Sequence, residues 1–149
     1  MNLSKHVTKS EFERSEKAIS LGISNEMNAT ETQKAIDLCE NVFEPIREHL
    51  GLPIKINSGF RNQRVNKLVK GSSTSQHTKG EAMDLALGDR ELFEWILDNV
   101  EADQYIYEFG NDNFAGWFHI SYRKGNNRKQ ALRAIKRGGK TVYIPYTRK

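Results

Sequence analysis

Residues 81–87 read Glu-Ala-Met-Asp-Leu-Ala-Leu, and their alternation constrains the fold more than any other part of the chain. A strand sends successive side chains to opposite faces. Met83, Leu85 and Leu87 therefore share one face, and Ala82, Asp84 and Ala86 the other. The first face demands a core. The second sets a carboxylate among alanines, whose small side chains leave room beside it. A lone buried acid is costly unless it is paired or binds a metal. The fold must then bring partners to Asp84. One is close in the chain: His77 lies seven residues earlier, in a loop that Gly80 allows to turn back.

A third partner is sought among the remaining histidines. His119 stands in Gly-Trp-Phe-His-Ile-Ser-Tyr, where Trp117, His119 and Ser121 share a strand face. His6, in an N-terminal stretch expected to be mobile, and His49, at a helix end, fit less well. Two imidazoles and one carboxylate, with a fourth position open, are the donor set of a catalytic rather than a structural zinc site. The same donors also admit another divalent ion.

Around this stretch the chain reads as a single α+β domain, a small antiparallel sheet flanked by helices. A helix is expected from about Ser10, which would cap it. The strongest helical periodicity runs from Thr30 to Leu50, with Pro45 setting a kink or break and Gly51 ending it. Cys39, the one cysteine, falls on the apolar face and is expected to pack there. A strand is expected in Ile54–Phe60, a short helix over Asn62–Val69 and an amphipathic helix over Asp89–Asn99. Tyr105–Phe109 and Trp117–Tyr122 would form a hairpin. Gln130–Arg137 reads as a last helix and Thr141–Tyr146 as a last strand. Gln63 and Asn66 are expected to face solvent.

Length and composition fit one soluble domain: 149 residues, 28% charged and 37% hydrophobic. The net charge of +4 hides an asymmetry. Residues 1–122 hold 13 Lys and Arg against 19 Asp and Glu, whereas residues 123–149 hold ten Lys and Arg and no acid. Such a basic end suggests either a solvated face or an anionic partner. No run of 18 apolar residues offers a membrane span. Residues 1–22 lack the apolar centre of a signal peptide, so synthesis in the cytoplasm is expected.

Three stretches together resemble a known family. They are Ser-Gly-Phe-Arg at 58–61, Ser-Gln-His-Thr-Lys-Gly-Glu-Ala-Met-Asp at 75–84 and Trp-Phe-His-Ile-Ser at 117–121. They resemble the zinc D-alanyl-D-alanine peptidases. That group includes peptidoglycan carboxypeptidases, dipeptidases and phage L-alanyl-D-glutamate endopeptidases, and it shares its fold with the hedgehog signalling domain. Ser75, His77, Gly80, Ala82 and Asp84 occupy every fixed position of the pattern S-x-H-x-x-G-x-A-x-D, and Trp117 and His119 those of W-x-H. The likeness covers roughly residues 10–125, leaving 126–149 as a basic helix-strand extension. Residues 12–25 and 40–51 resemble the phage and prophage branch.

The resemblance implies one zinc ion held by His77, Asp84 and His119. It implies hydrolysis of stem peptides or cross-links in bacterial peptidoglycan, by zinc-activated water and a carboxylate general base. Many members carry that acid three residues before the last histidine, where this chain has Gly116. If the hairpin pairs as expected, Glu108 points to the same face as His119 and takes the role, with Asp112 second. Arg61 would stabilise the oxyanion or grip a substrate carboxylate. Ser75 and Trp117 would contact substrate. A monomeric lysin or virion-associated protein acting on the cell wall follows, its basic end resting on anionic wall or membrane polymers. Carboxypeptidase and endopeptidase action both stay open. Two other classes compete: a hedgehog-like zinc module that binds wall without cutting it, and nucleic-acid binding through residues 123–149. Only charge supports the last, with no recognised motif.

Overall fold

Five α-helices begin at a side chain that accepts from an otherwise unpaired backbone N–H, the usual signal for a helix start. The caps are Thr8, Ser15, Asn28, Asn62 and Asp89. They open α1 (Lys9–Glu13), α2 (Glu16–Leu21), α3 (Ala29–Leu38), α5 (Gln63–Leu68) and α6 (Arg90–Asn99) in a computed structural model that describes residues 1–149. Thr8, not Ser10, caps α1. Its hydroxyl accepts from Glu11 N at 3.1 Å while the Glu11 carboxylate accepts from Thr8 N, a reciprocal pair that Ser10 inside the helix cannot make.

The helix expected over residues 30–50 forms, with one adjustment. α3 runs into a π-helical turn, Cys39–Phe43, and then α4 (Glu44–Leu50). Pro45 has no N–H to donate and would clash one turn back. The widened turn ahead of it absorbs the fault, with Glu44 N reaching Cys39 O. The run buries Leu38, Cys39, Val42, Phe43 and Ile46. Gly51 ends it with a left-handed φ of 67°.

The N-terminus is not mobile as expected but a β-ribbon, β1 (Asn2–Ser4) with β2 (Val7–Thr8). Leu3 and Val7 are in the core, and His6 and Ser4 are both fastened to Glu44.

The main sheet has six strands: β3 (Ile56–Ser58), β4 (Ala82–Leu85), β5 (Gln104–Glu108), β6 (Trp117–Ser121), β7 (Gln130–Arg137) and β8 (Lys140–Pro145). Their order is β3-β4-β6-β5-β7-β8. Met83, Leu85, Tyr105, Tyr107, Phe118 and Ile120 turn to the helices and are buried. Phe93 of α6 meets Phe118 and Tyr107 edge-on, at centroid distances of 5.0 and 5.5 Å. The opposite face is left for the site.

Two expectations fail at the C-terminal end. Gln130–Arg137 is strand β7, not a helix, and it pairs parallel to β5, so the sheet is mixed rather than purely antiparallel. The cause lies in its neighbours. β5 has a free edge, and Gly138-Gly139, with φ of 59° and 79°, folds β7 back on β8 in a two-residue hairpin turn. Local helix-like periodicity in Ala131, Leu132, Ala134 and Ile135 is overridden by pairing.

Charge helps to dock this end. Arg128, Lys129, Arg133 and Arg148 pair with Asp103, Glu101, Asp112 and Asp98. The basic residues thus meet part of the acidic excess of residues 1–122. Asp103 is fully buried and accepts from Arg128 N, Nε and Nη2 and from Gln76 Nε2. Burial pushes its carboxyl up, but Arg128 and then Gln76 outweigh that and hold it below the usual range. Its stabilisation is therefore present above about pH 4 and is lost as pH falls through the lowered pKa. Asp103→Ala is expected to cost roughly 2–4 kcal/mol at pH 7, read from urea midpoints, with the gap from wild type closing at pH 3. An unchanged midpoint at pH 7 would show that Asp103 does not hold the hairpin.

Candidate metal centre and its cleft

The segment Ser58–Arg61 is held by tight backbone approach. A side chain at Gly59 would lie 2.4 Å from Phe12 O, so only glycine fits. Phe60 N donates to Phe12 O, and Arg61 N donates to His77 O at 3.1 Å. Gly59 O, carried into place by this packing, lies 2.7 Å from His77 Nδ1. Nδ1 must donate there, which leaves Nε2 with its lone pair outward.

His77 sits on a single 3₁₀ turn, Gln76–Lys79, capped by the Ser75 hydroxyl, which accepts from His77 N. Gly80 closes the turn at φ 77°, and a side chain there would strike Glu31 O at 2.5 Å. The chain then enters β4, where Asp84 pairs directly with His119 of β6. Asp84 Oδ1 lies 2.9 Å from His119 Nδ1 and 3.3 Å from His77 Nε2. The donor atoms of all three residues lie within 4.8 Å of one another. Tetrahedral ligands about 2.0–2.1 Å from zinc stand about 3.3 Å apart, so this set fits one such ion. Burial pushes the Asp84 carboxyl up, but His77 and His119 together outweigh that and hold it well below the carboxylate range. Burial also lowers the His77 pKa, against the pull of Asp84, which favours the neutral ring a metal requires.

The trio lies in a cleft of about 890 Å³. Glu108 lines it from β5. Ile106 pairs with His119, and Glu108, two residues on, faces the same way and pairs with Trp117. Only 7% exposed, its carboxyl is raised by burial, with His119 opposing and Asp84 adding, to about 7. Arg61 also lines the cleft, half-buried, and its Nε has no partner. Burial lowers its pKa against the attraction of Asp84. Ser75 lines the cleft while capping the turn, and Trp117 walls it, edge-on to Phe109 at 5.4 Å.

Asp112 is not brought into the cleft. It is exposed on the hairpin loop and bound to Arg133 at 2.9 Å. His6 pairs with Glu44, and His49 stacks on Trp95 at 3.6 Å. Asn66 does not face solvent: it is 1% exposed, donates to Ser72 O and abuts Gly71, which pins the loop beside the cleft. The nearby Gly71 was the available signal. Asp103 and its partner Gln76, next to His77, carried no such signal, because Arg128, which completes the group, lies far along the chain in the loop ahead of β7.

A model of the peptidase M15 family matches residues 5–121. The chain belongs to the M15 peptidases. The match spans all three donor residues, Arg61 and Glu108, and it stops at the end of β6. No curated protein matches the chain. Membership indicates a metallopeptidase, a hydrolase, and the His77–Asp84–His119 cluster is where this M15 chain could hold its metal. No helix is long and apolar enough to cross a membrane.

In the metal-free fold Glu108 keeps its proton up to about pH 7. An unfolded chain releases it near pH 4.3, roughly. Stability is therefore lost between those values as pH rises. Metal-free Glu108→Gln is expected to be as stable as wild type at pH 4 and more stable at pH 8, by no more than about 4 kcal/mol. Parallel melting curves at both pH values would place Glu108 in water rather than in a desolvated cleft.

Proposed function

We propose that this chain is a zinc peptidase that hydrolyses peptide bonds in the stems or cross-links of bacterial peptidoglycan. The observation that carries this reading is a buried carboxylate, Glu108, on the same cleft face as a three-residue donor set. Zinc bound by His77, Asp84 and His119 would supply a Lewis acid that acidifies a water and polarises the scissile carbonyl.

The chain's own residues do the rest. The Gly59 carbonyl holds His77 in the tautomer that presents Nε2. Glu108 accepts a proton from water during attack and returns it to the leaving nitrogen, a role its place on the donor-set side of the cleft suits. Arg61, with a donor to spare, stabilises the oxyanion or holds a substrate carboxylate. Trp117 closes one side against water, and Ser75 keeps the His77 turn in shape.

Gly116 supports the competing reading, a wall-binding module without turnover. It leaves no acid at the place where many relatives carry one. Its N–H donates to Glu108 O at 2.8 Å, so the substitute carboxylate sits on the adjacent strand. That proximity favours catalysis over binding alone. Exposed Arg123, Lys124, Arg137 and Lys140 would rest the protein on anionic wall polymers, as expected of a monomeric lysin or virion-associated enzyme.

Purified peptidoglycan incubated with the zinc-loaded protein should yield defined fragments by mass spectrometry. The fragments name the bond and decide between endopeptidase and carboxypeptidase action. They should vanish with a chelator and with His77→Ala. Intact peptidoglycan after incubation with folded, zinc-loaded protein would favour the binding module.

A further inference from the structure

The family match ends at residue 121, yet the cleft does not. Leu132 and Lys136 of β7, and Thr141 and Tyr143 of β8, line the same cavity as the donor set. Register explains why. Leu132 pairs with Ile106 and Ala134 with Glu108, and Tyr143 then pairs with Ala134. One row across the sheet therefore reads Trp117, Glu108, Ala134, Tyr143. Strands stand about 4.8 Å apart, so Tyr143 lies roughly 10 Å from Glu108 at the backbone. Ala134, small and fully buried, keeps the floor low between them.

This floor has its own chemistry. Ile106 and Leu132 make it apolar. Its rim is polar. Lys136 is exposed, packs over the Phe109 ring at 5.3 Å and donates to Thr141 Oγ1, and no acid pairs with it. Arg128, the other hairpin-side cation in the cleft, is already held by Asp103. The only acids lining the cavity are Asp84 and Glu108. Burial first, then Glu108 and Asp84, raise the Tyr143 pKa, so its phenol keeps its proton and can donate.

Resting on the peptidase reading, we propose that the β7–β8 hairpin is a substrate subsite on the Glu108 side of the metal centre. It seats a short aliphatic side chain on Ile106 and Leu132, and it holds a peptide carboxylate with Lys136 and Tyr143. The hairpin makes the cleft selective for acidic peptides, beyond what the matched residues supply.

The test uses muropeptides with free carboxylates and the same muropeptides after amidation. Wild type is expected to prefer the acidic form. Lys136→Met should raise KM for it about tenfold and reduce the preference by a similar factor, in line with loss of one charge-assisted bond. Tyr143→Phe should do the same to a smaller extent. Lys17→Met, exposed on α2 and outside the cleft, should keep the wild-type preference. Wild-type KM and preference in both Lys136→Met and Tyr143→Phe would overturn the proposal. So would a loss confined to kcat.

A binding arm separates this failure from failure of the peptidase reading. In zinc-loaded Glu108→Gln, calorimetry should show the acidic muropeptides binding about tenfold more weakly once Lys136→Met is added. That result would support the subsite even if wild type cuts nothing. Equal binding with and without Lys136, or no binding at all, would overturn the subsite.

Discussion

Asp84 is a charge that the fold cannot leave alone. It sits in a central strand, directly across from His119 and within 3.3 Å of His77. A desolvated carboxylate needs compensation, and the architecture around it provides that. β4 must pair with β6 in this register and no other, since a slip of one residue would send Asp84 to the helix side. His77 must arrive on a turn that only glycine can close, against a carbonyl that only glycine at 59 can bring near. The motif residues thus divide between the His77–Asp84–His119 donor set and the backbone geometry that aims it.

The second organising force is the meeting of a basic end with an acidic body. Arg128 and Arg148 close on Asp103 and Asp98, and Arg90 reaches back to Tyr146 and Thr147. Most of these pairs are exposed and individually weak. Asp103 differs because it is buried and shared. It accepts from Gln76, the neighbour of His77, as well as from Arg128, which leads into β7. The hairpin and the metal-side turn are therefore joined through one carboxylate. An anionic partner meets only those cations the body has not already engaged.

What could be read from the chain beforehand follows a physical division. The strand at 82–85, the hairpin of β5 and β6, the faces of Glu108 and His119, and the clustering of His77, Asp84 and His119 were legible. In each case period-2 alternation or a long motif carries the information locally. The π turn before Pro45 was legible only as a fault in the helix, since which adjustment absorbs a missing N–H depends on packing. β7 was misread because a short run with helical spacing says nothing about a free sheet edge elsewhere. The Gly-Gly turn after it was the better signal. Asn66 had a signal only in the neighbouring Gly71, and Asp103 was invisible as a site support because Gln76 and Arg128 are brought to it only by the fold.

The central claim is a division of labour: three residues hold one metal ion and a fourth, Glu108, moves the proton. It is tested most directly by zinc content and peptidoglycan turnover measured on the same preparations of wild type, Asp84→Asn and Glu108→Gln. The account predicts one zinc per chain with turnover in wild type. It predicts one zinc with turnover reduced at least a hundredfold, roughly, in Glu108→Gln, and neither in Asp84→Asn. A Glu108→Gln protein that loses its zinc, or that cuts at the wild-type rate, would contradict it.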